Sequence, residues 1–451
     1  MDGFVLPDKL LSTLSNAAGT ARSHDFIHVY SHYDADGLTA AAIVCKALMR
    51  AGKEFQVTTF HTLTDPQMQI IEENRDACVL MTDLGASYID RLEKLGGDVI
   101  VLDHHTLGVT NTEKVIYANP HLYGIDGMTS GCGATMAFLF AITLDDRNWD
   151  LAPVAMAGIA GDRQHLNGVS GLNIYLLEGA KKRELIEEMP GSLIPFGDLA
   201  TELYVSTEPY IAGITGDADA VTAFLKEART APGKSFTDLA PEEKVRLSSM
   251  IAVKLAQQGV TRDKLEETAR TRYYLPTWNT DAESLSGWIN SSGRSDEQGI
   301  GILAGMGDRN ALQRAKEIDA ESRKNFLAGI KSAMEGKLHQ MENIQWFDSS
   351  SSGFTGMICG VIMSFIGDPD KPTIGINCSE EDANISSRGT FPLLDKGVDL
   401  ADAMKRGCAS VGGEGGGHRI AAGGSIKSAK RDEFLANVDK IVGEQKVSHA
   451  M

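Results

Sequence analysis

The sequence predicts an α/β protein with a mainly parallel-sheet N-terminal domain, a smaller C-terminal α/β domain, and a helical insertion and connector joining them. Three observations carry this. Short β-rich runs alternate with helix-period segments from Phe26 to about Ile159; charged helical stretches dominate from about 186 to 335; the β/α texture returns after about 340.

In the N-terminal part, FIHVYS, FQVTTF, ACVLMT, DVIVLD and VIYAN read as strands, with helices expected over about 38–49, 67–74, 88–95, 134–142 and 151–159. The regular alternation of the two element types is what a parallel sheet covered by helices on both faces requires. The middle owes its helical character to PEEKVRLSSMIAVKLAQQ and RAKEIDAESRKNFLAGIKSAMEG. In the last part the β/α texture returns with GMICGVIMSFIG, PTIGINC and ANISSRGT, a helix from about Leu400, a glycine cluster and an amphipathic helix from about Lys430. The expected domains are 1–185, 186–335 and 336–451, with the serine run DSSSSGF as a flexible crossing.

A chain of 451 residues, 42% hydrophobic and 23% charged, has room for two or three cores. Its six cysteines form no C-x-x-C pair and read as reduced packing residues, and no apolar run is long enough to span a bilayer. A cytoplasmic protein with no membrane partner is expected. The net charge of −18 excludes broad nonspecific binding to duplex DNA, so a nucleic-acid substrate would be held locally.

The chemistry gathers at strand ends. His32, Asp34 and Asp36 follow FIHVYS, Asp83 follows ACVLMT, Asp103, His104 and His105 follow DVIVL, and Asp162 ends the apolar segment APVAMAGIAG. In an open parallel sheet, ligands bind beyond the carboxyl ends of the strands, so these groups should converge. Bare carboxylates at such spacing repel one another, and cations resolve the conflict. Four or five carboxylates with one or two imidazoles suit Mn²⁺ best, with Mg²⁺, Co²⁺ or Zn²⁺ as substitutes, and the ligand count is enough for two ions. Asp83, alone on its strand, is the natural bridge. Singly, each piece has a plainer meaning: H-x-D-x-D-G alone would be a capped turn, and a lone Asp162 a helix cap. Four such elements in order are what point to a site.

At these residues the sequence resembles the DHH phosphoesterase superfamily, with SHYDADG, TDLG, LDHH and AGIAGD in the order of its four motifs, and archaeal RecJ-like exonucleases in particular. WINSSGR (288–294) resembles a RecJ-type motif, and GGGHRIAAGG (415–424) is similar to the signature of the DHH-associated C-terminal domain. The resemblance implies that His32 and Asp34 hold one metal, that Asp36, His104 and Asp162 hold the other, and that Asp83 bridges them. His32 stands two residues before Asp34, where several relatives have four, so either a shorter loop or a more weakly held first metal is expected. Asp103 would orient His104, and His105 would contact the phosphate or the leaving oxygen. His165 reads as peripheral.

In the C-terminal part, Gly415, Gly416 and Gly417 before His418 read either as a flexible loop or as backbone laid open to phosphate oxygens. Residues 384–431 hold eight Lys or Arg against four Asp or Glu, a local excess of positive charge. Arg388 resembles a phosphate-contacting arginine, with Ser386 and Ser387 beside it, and Asn290 and Arg294 are further candidates for substrate contact. The expected function is metal-assisted hydrolysis of single-stranded DNA or RNA ends, or of short oligonucleotides, to 5′-mononucleotides. The alternatives are a phosphodiesterase for very short RNA or cyclic dinucleotides, and a replication scaffold whose acidic insertion docks replication proteins.

Overall fold

The computed structural model describes residues 4–74, 77–108, 112–189, 191, 193–194, 196–349 and 353–450. They form two compact units, Met1–Phe196 with Ala269–Glu321, and Gly197–Thr268 with Ser322–Met451. The first is built on an all-parallel sheet of β1 (Phe26–His32), β2 (Glu54–Phe60), β3 (Cys78–Thr82), β4 (Val99–Leu102) and β5 (Val115–Ala118), in spatial order β2-β1-β3-β4-β5. The chain leaves β1 in one direction for β2 and returns in the other for β3. The carboxyl ends of β1 and β3 therefore flank the switch point at which a doubly wound sheet opens a crevice.

The helices α1 (Asp8–Ser23), α2 (Ala35–Arg50), α3 (Asp65–Glu73), α4 (Ile89–Leu92), α5 (Gly133–Leu144) and α6 (Ala152–Gly161) cover both faces. Successive residues of each strand serve opposite layers, as the pleat demands. Ile27, Val29, Leu80, Ile100 and Leu102 pack with α1, α2, α5 and α6. Tyr30, Val79, Met81, Val99 and Val101 pack with Met68 and Ile71 of α3 and Ile89 and Leu92 of α4. Each fully buried aliphatic side chain adds about 1.5–3 kcal/mol by leaving water. Helices α5 and α6 are apolar all round because they lie inside the unit rather than on its surface. Their closeness depends on glycine: a Cβ at Gly158 would stand 2.3 Å from the Ala134 Cβ.

After α7 (Leu172–Lys181) and β6 (Glu187–Met189), the chain enters the second unit with α8 (Leu199–Val205), α9 (Ala218–Glu227), α10 (Pro241–Gln257) and α11 (Arg262–Thr268). It re-enters the first with β7 (Arg272–Leu275) and β8 (Thr280–Asp281), which extend β6 antiparallel, then α12 (Ala282–Arg294) and α13 (Gln298–Gly305). The division between the units falls within α14 (Arg309–Glu335). The span 186–335, read from sequence as one insertion and connector, is thus shared between two units. Local composition reports helix content but not which core a helix joins.

The second unit ends in a six-stranded mixed sheet, β9 (His339–Gln340), β10 (Gln345–Asp348), β11 (Thr373–Cys378), β12 (Asp382–Arg388), β13 (Glu414–His418) and β14 (Ala421–Lys427), in order β13-β14-β12-β11-β10-β9. The helix α15 (Thr355–Val361) lies against β11 and β12, the short α16 (Phe391–Asp395) follows β12, and α17 (Leu400–Ser410) and α18 (Arg431–Ala450) cover the core face. GMICGVIMSFIG forms α15 and a following helical turn, and α15 packs against β11 and β12. Of the serine run, Ser350–Ser352 lie outside the described residues. The glycine cluster is an edge strand rather than a loop. Gly415 and Gly424 let α17 approach, since a Cβ there would meet the Cys408 Sγ at 2.8 and 2.5 Å, and Gly417 has φ +139°. Among the described residues, no helix is long and apolar enough to cross a membrane.

Candidate metal centre

Every acidic or histidine motif of the N-terminal part arrives at the carboxyl end of the parallel sheet. Asp34 caps α2, accepting from the Gly37 N–H at 3.1 Å. Gly37 must be glycine, because a Cβ would lie 2.4 Å from the His32 carbonyl oxygen. Asp36, in the first turn of α2, receives the first N–H groups of α5: Gly133 donates to it at 2.6 Å and Ala134 at 2.8 Å. A helix N-terminus thus steadies a buried carboxylate. Asp83 follows β3 with φ 55°, a left-handed conformation that a non-glycine residue keeps only when its surroundings hold it there.

Asp103 organises the histidines. One carboxylate oxygen accepts from the Ala86 N–H at 2.8 Å; the other accepts from the His104 N–H at 2.7 Å, the His105 N–H at 3.2 Å and the His105 ring Nδ1 at 2.7 Å. The His104 Nδ1 donates to the Gly127 carbonyl at 2.8 Å, which turns Nε2 toward the acids. That atom lies 3.2 Å from Asp83 Oδ1, 3.6 Å from Asp162 Oδ2 and 3.7 Å from Asp36 Oδ2. His32 is oriented in the same way. Its Nε2 donates to the His61 carbonyl at 3.1 Å, leaving Nδ1 at 3.0 Å from Asp34 Oδ2 and 3.5 Å from Asp83 Oδ2.

The groups assemble into sets able to hold a cation: His32, Asp34 and Asp83; Asp36, His104 and Asp162; and Asp83 with His104 and His105. Asp83 belongs to two of these, and its carboxylate stands between the first and second sets. Asp36, Asp83, Asp103 and His104 are buried, while the side chains of His105 and Asp34 are 50% and 40% exposed, which opens the cluster on one side.

The donor set fits divalent ions. Asp83 Oδ1 and His32 Nδ1 are buried and make no directed hydrogen bond, although each lies within 3.2 Å of an oppositely charged group. Such crowding without hydrogen-bond geometry is what converging ligand atoms produce. The proton balance agrees. Burial pushes the Asp36 carboxyl well above the usual range, and the charges of Asp83 and Asp162 add to this. Burial likewise raises Asp162. Burial opposes ionisation of Asp83 too, but the His104 and His32 imidazoles outweigh it and hold its carboxyl low. Burial disfavours the His32 cation, yet Asp34 and Asp83 carry its pKa up to about 11, and the surrounding carboxylates raise His104 against burial as well. Asp103 raises His105. Divalent cations would supply the positive charge that these crowded carboxylates call for.

Of two supporting residues, one carried no signal in the sequence and the other lies inside WINSSGR, where the motif did not single it out. The side-chain amide of Gln164 donates to Asp162 Oδ2 and to the Gly127 carbonyl, both at 2.9 Å, and accepts from the Gly131 N–H at 3.0 Å and the Asn173 Nδ2 at 2.9 Å. It therefore holds one candidate ligand directly and the support of another. Gly293 is the second. A Cβ there would stand 2.0 Å from the Tyr33 carbonyl oxygen, so the last turn of α12, with Asn290 and Arg294, abuts the loop between His32 and Asp34. His165 is buried outside the cluster, 3.1 Å from Glu283 Oε1, and Glu283 also receives Arg270.

The C-terminal candidates occupy the second unit. Strand pairing sets Arg388 and His418 opposite Ala421, and Ser386 and Gly416 opposite Gly423, on one face of the sheet. Ser387 points to the other face, buried, with its hydroxyl donating to the Ala422 carbonyl at 2.9 Å. The local positive excess is largely paired off: Arg406 meets Asp402 and Glu444, Arg419 meets Asp399, Lys427 meets Asp382, Lys430 meets Glu433, and Arg431 meets Asp348. Arg388 is in no ion pair among the described residues; its guanidinium donates to the Ser387 carbonyl at 2.9 Å.

Residues 26–159 match the model of the DHH family N-terminal domain and residues 351–444 that of the DHHA1 domain. The uncharacterized protein MJ0831 of Methanocaldococcus jannaschii is 31% identical over 432 residues, 94% of each chain. The chain belongs to the DHH family. Its family is one of generally metal-dependent phosphoesterases. The single-stranded-DNA-specific exonuclease RecJ of Thermus thermophilus is 32% identical over 142 residues, 30% of this DHH protein and 21% of RecJ. The Mn²⁺-bound crystal structure of that RecJ is similar over 98% of this chain and 55% of its own, at 17% identity and a TM-score of 0.57. This DHH protein therefore spans about half the length of the RecJ structure. CDC45 from Entamoeba histolytica is similar over 96% of this chain and 99% of its own, with 11% identity and a TM-score of 0.65. At such identities the two structural likenesses speak for the fold, a RecJ-like one.

Proposed function

We propose that this DHH protein is an exonuclease that hydrolyses phosphodiester bonds from an end of single-stranded nucleic acid and releases 5′-mononucleotides, with two divalent ions, Mn²⁺ foremost, as cofactors. The observation that carries the reading is the placement of Asp83 between the His32/Asp34 and the Asp36/His104/Asp162 donor sets at the switch point of the sheet. In this reading those six residues are the metal ligands. When bound, two divalent ions supply Lewis-acid charge to the phosphate oxygens and acidify the attacking water.

The residues around that chemistry have separable tasks. Asp103 fixes the rotamers of His104 and His105 and has its lone pairs engaged by four donors. With Nδ1 held by Asp103, His105 carries a proton on its partly exposed Nε2 side and can donate it to a phosphate oxygen or the leaving oxygen. Asn290 and Arg294 on α12 stand beside the His32–Asp34 loop and serve the chain entering the site. Arg388, with Ser386, His418 and the open backbone at Gly416, grips a phosphate on the C-terminal sheet. Ser387 acts there through the strand rather than by direct contact, since its hydroxyl is spent on Ala422.

RecJ, an exonuclease specific for single-stranded DNA, has been crystallised with Mn²⁺ and with Mg²⁺, which supports both the substrate and the metal choice. The test is a timed digestion of end-labelled single-stranded DNA and RNA of graded length, with Mn²⁺ and with chelator. Metal-dependent release of mononucleotides from long strands is expected. Cleavage confined to di- to pentanucleotides or to cyclic dinucleotides would replace the exonuclease reading with a small-substrate phosphodiesterase.

A further inference from the structure

Beside the donor cluster, three rings from two strand ends form a ladder, and the metal chemistry uses only the first of them, His32. The His32 ring meets the Tyr33 ring edge-on at a centroid distance of 4.9 Å, and the Tyr33 ring lies 4.0 Å from the His61 ring at 37°. The ladder is held from both sides. The Tyr33 backbone is pinned by the approach of Gly293, and the His61 Nε2 meets Asp296 Oδ1 at 3.2 Å. Asp296 is itself fixed in a left-handed conformation, φ 57°, where the end of α12 turns back with the Glu297 N–H donating to the Ser292 carbonyl at 2.9 Å. The outer ring is open to solvent, with the His61 side chain 59% exposed and Asp296 beside it 81% exposed.

We infer that Tyr33 and His61 form a nucleobase subsite, a stacking surface for the base of a nucleotide flanking the scissile phosphate. This rests on the nucleic-acid reading above and names what part of the substrate the N-terminal unit recognises besides phosphate. Tyr33 is the residue between two candidate ligands, so its ring stands within a nucleotide's length of any phosphate held there. A π-face binds every base without reading its edge, which suits an enzyme that must accept successive nucleotides along a single strand. A paired base, stacked within a duplex, has no free face to offer, so the same surface selects single strands. Recognition by aromatic stacking also suits a chain whose net charge of −18 gives little help from a basic field.

The test uses the full chain with Mn²⁺ and single-stranded oligonucleotides carrying an abasic residue at one of the terminal positions in turn. For the unaltered protein, an abasic residue at the position flanking the cleaved bond should raise KM roughly 10-fold, the scale of one lost base stack. Tyr33→Ala should raise KM on the intact strand by a similar factor, with kcat nearly unchanged, and should be indifferent to the abasic residue. His61→Ala, on a separate strand from the metal loop, should behave alike, and Tyr33→Phe should restore base discrimination. Mn²⁺ affinity measured calorimetrically on Tyr33→Ala separates loss of stacking from damage to the loop. Full retention of the abasic penalty in both Tyr33→Ala and His61→Ala would overturn the subsite while leaving the exonuclease reading intact. No cleavage of any oligonucleotide by the unaltered protein would overturn both.

Discussion

His104 directs its Nε2 to Asp83, 3.2 Å from Oδ1, because its other ring nitrogen is committed to the Gly127 carbonyl. The pair joins β4 to β3 across the carboxyl end of the sheet, and Asp83 reaches it from a left-handed backbone.

Asp83→Asn tests the bridging role without disturbing the fold, since asparagine tolerates φ 55° better than most residues. Phosphodiester cleavage should fall on the order of 10³-fold or more, the scale of losing one central catalytic group, with the circular dichroism spectrum unchanged. Turnover within a factor of ten of the unaltered protein would remove Asp83 from the centre.

Metal binding should be visible without any substrate. At free Mn²⁺ about 100 times its Kd, a site occupied only in the folded chain adds about 2.7 kcal/mol. The first unit should then melt roughly 5–10 °C higher. The shift should vanish with chelator and in Asp83→Asn; an equal shift in that variant would place the ion elsewhere.

Gln164→Leu keeps the volume but removes the amide that serves Asp162, Gly127, Gly131 and Asn173. Loss of such outer support should weaken Mn²⁺ binding about 10- to 100-fold. Stability without metal should fall by about 1–3 kcal/mol, since buried partners are left unpaired. Unaltered metal affinity by calorimetry would mean that Asp162 is held in place without it.

Gly158→Ala places a Cβ 2.3 Å from the Ala134 Cβ and 2.5 Å from Thr39 Oγ1, between α6, α5 and α2. Overpacking of a close helix contact should cost about 1–3 kcal/mol in urea unfolding. Because the same Cβ would lie 3.0 Å from Asp36 Oδ1, metal affinity should drop with it. Gly416→Ala, with nothing within 4 Å of its Cβ, is the contrasting case, with little effect on stability.

Arg388→Ala should raise KM for oligonucleotides about 10-fold or more with a smaller effect on kcat, as expected for a phosphate contact made in both ground and transition states. Arg388→Lys should recover only part of this, because an ammonium lacks the planar fork of a guanidinium. Equal KM in Arg388→Ala and the unaltered protein would place the phosphate grip elsewhere.

The sequence by itself determined the parallel sheet and where its polar groups would gather. The β/α alternation of the first 160 residues marks a doubly wound sheet, and in such a sheet the residues just past each strand end share one edge. His32, Asp34, Asp36, Asp83, Asp103, His104, His105 and Asp162 could therefore be collected before any distance was known. The His32 ring is turned toward Asp34 and Asp83 by the His61 carbonyl from the neighbouring strand.

What only the tertiary structure decided depends on approaches between distant segments, for which local periodicity carries no signal. The first turn of α5 donates to Asp36 across 97 and 98 residues, and α12 is brought to Tyr33 from about 260 residues away. Gln164 earns its place only through partners in three separate segments. The glycines 415–417 look like a loop in sequence because chain flexibility is a local property. They form a strand because they pair with residues 422–424 of β14, and Gly415 lacks a side chain where α17 lies close; both belong to the packed unit alone.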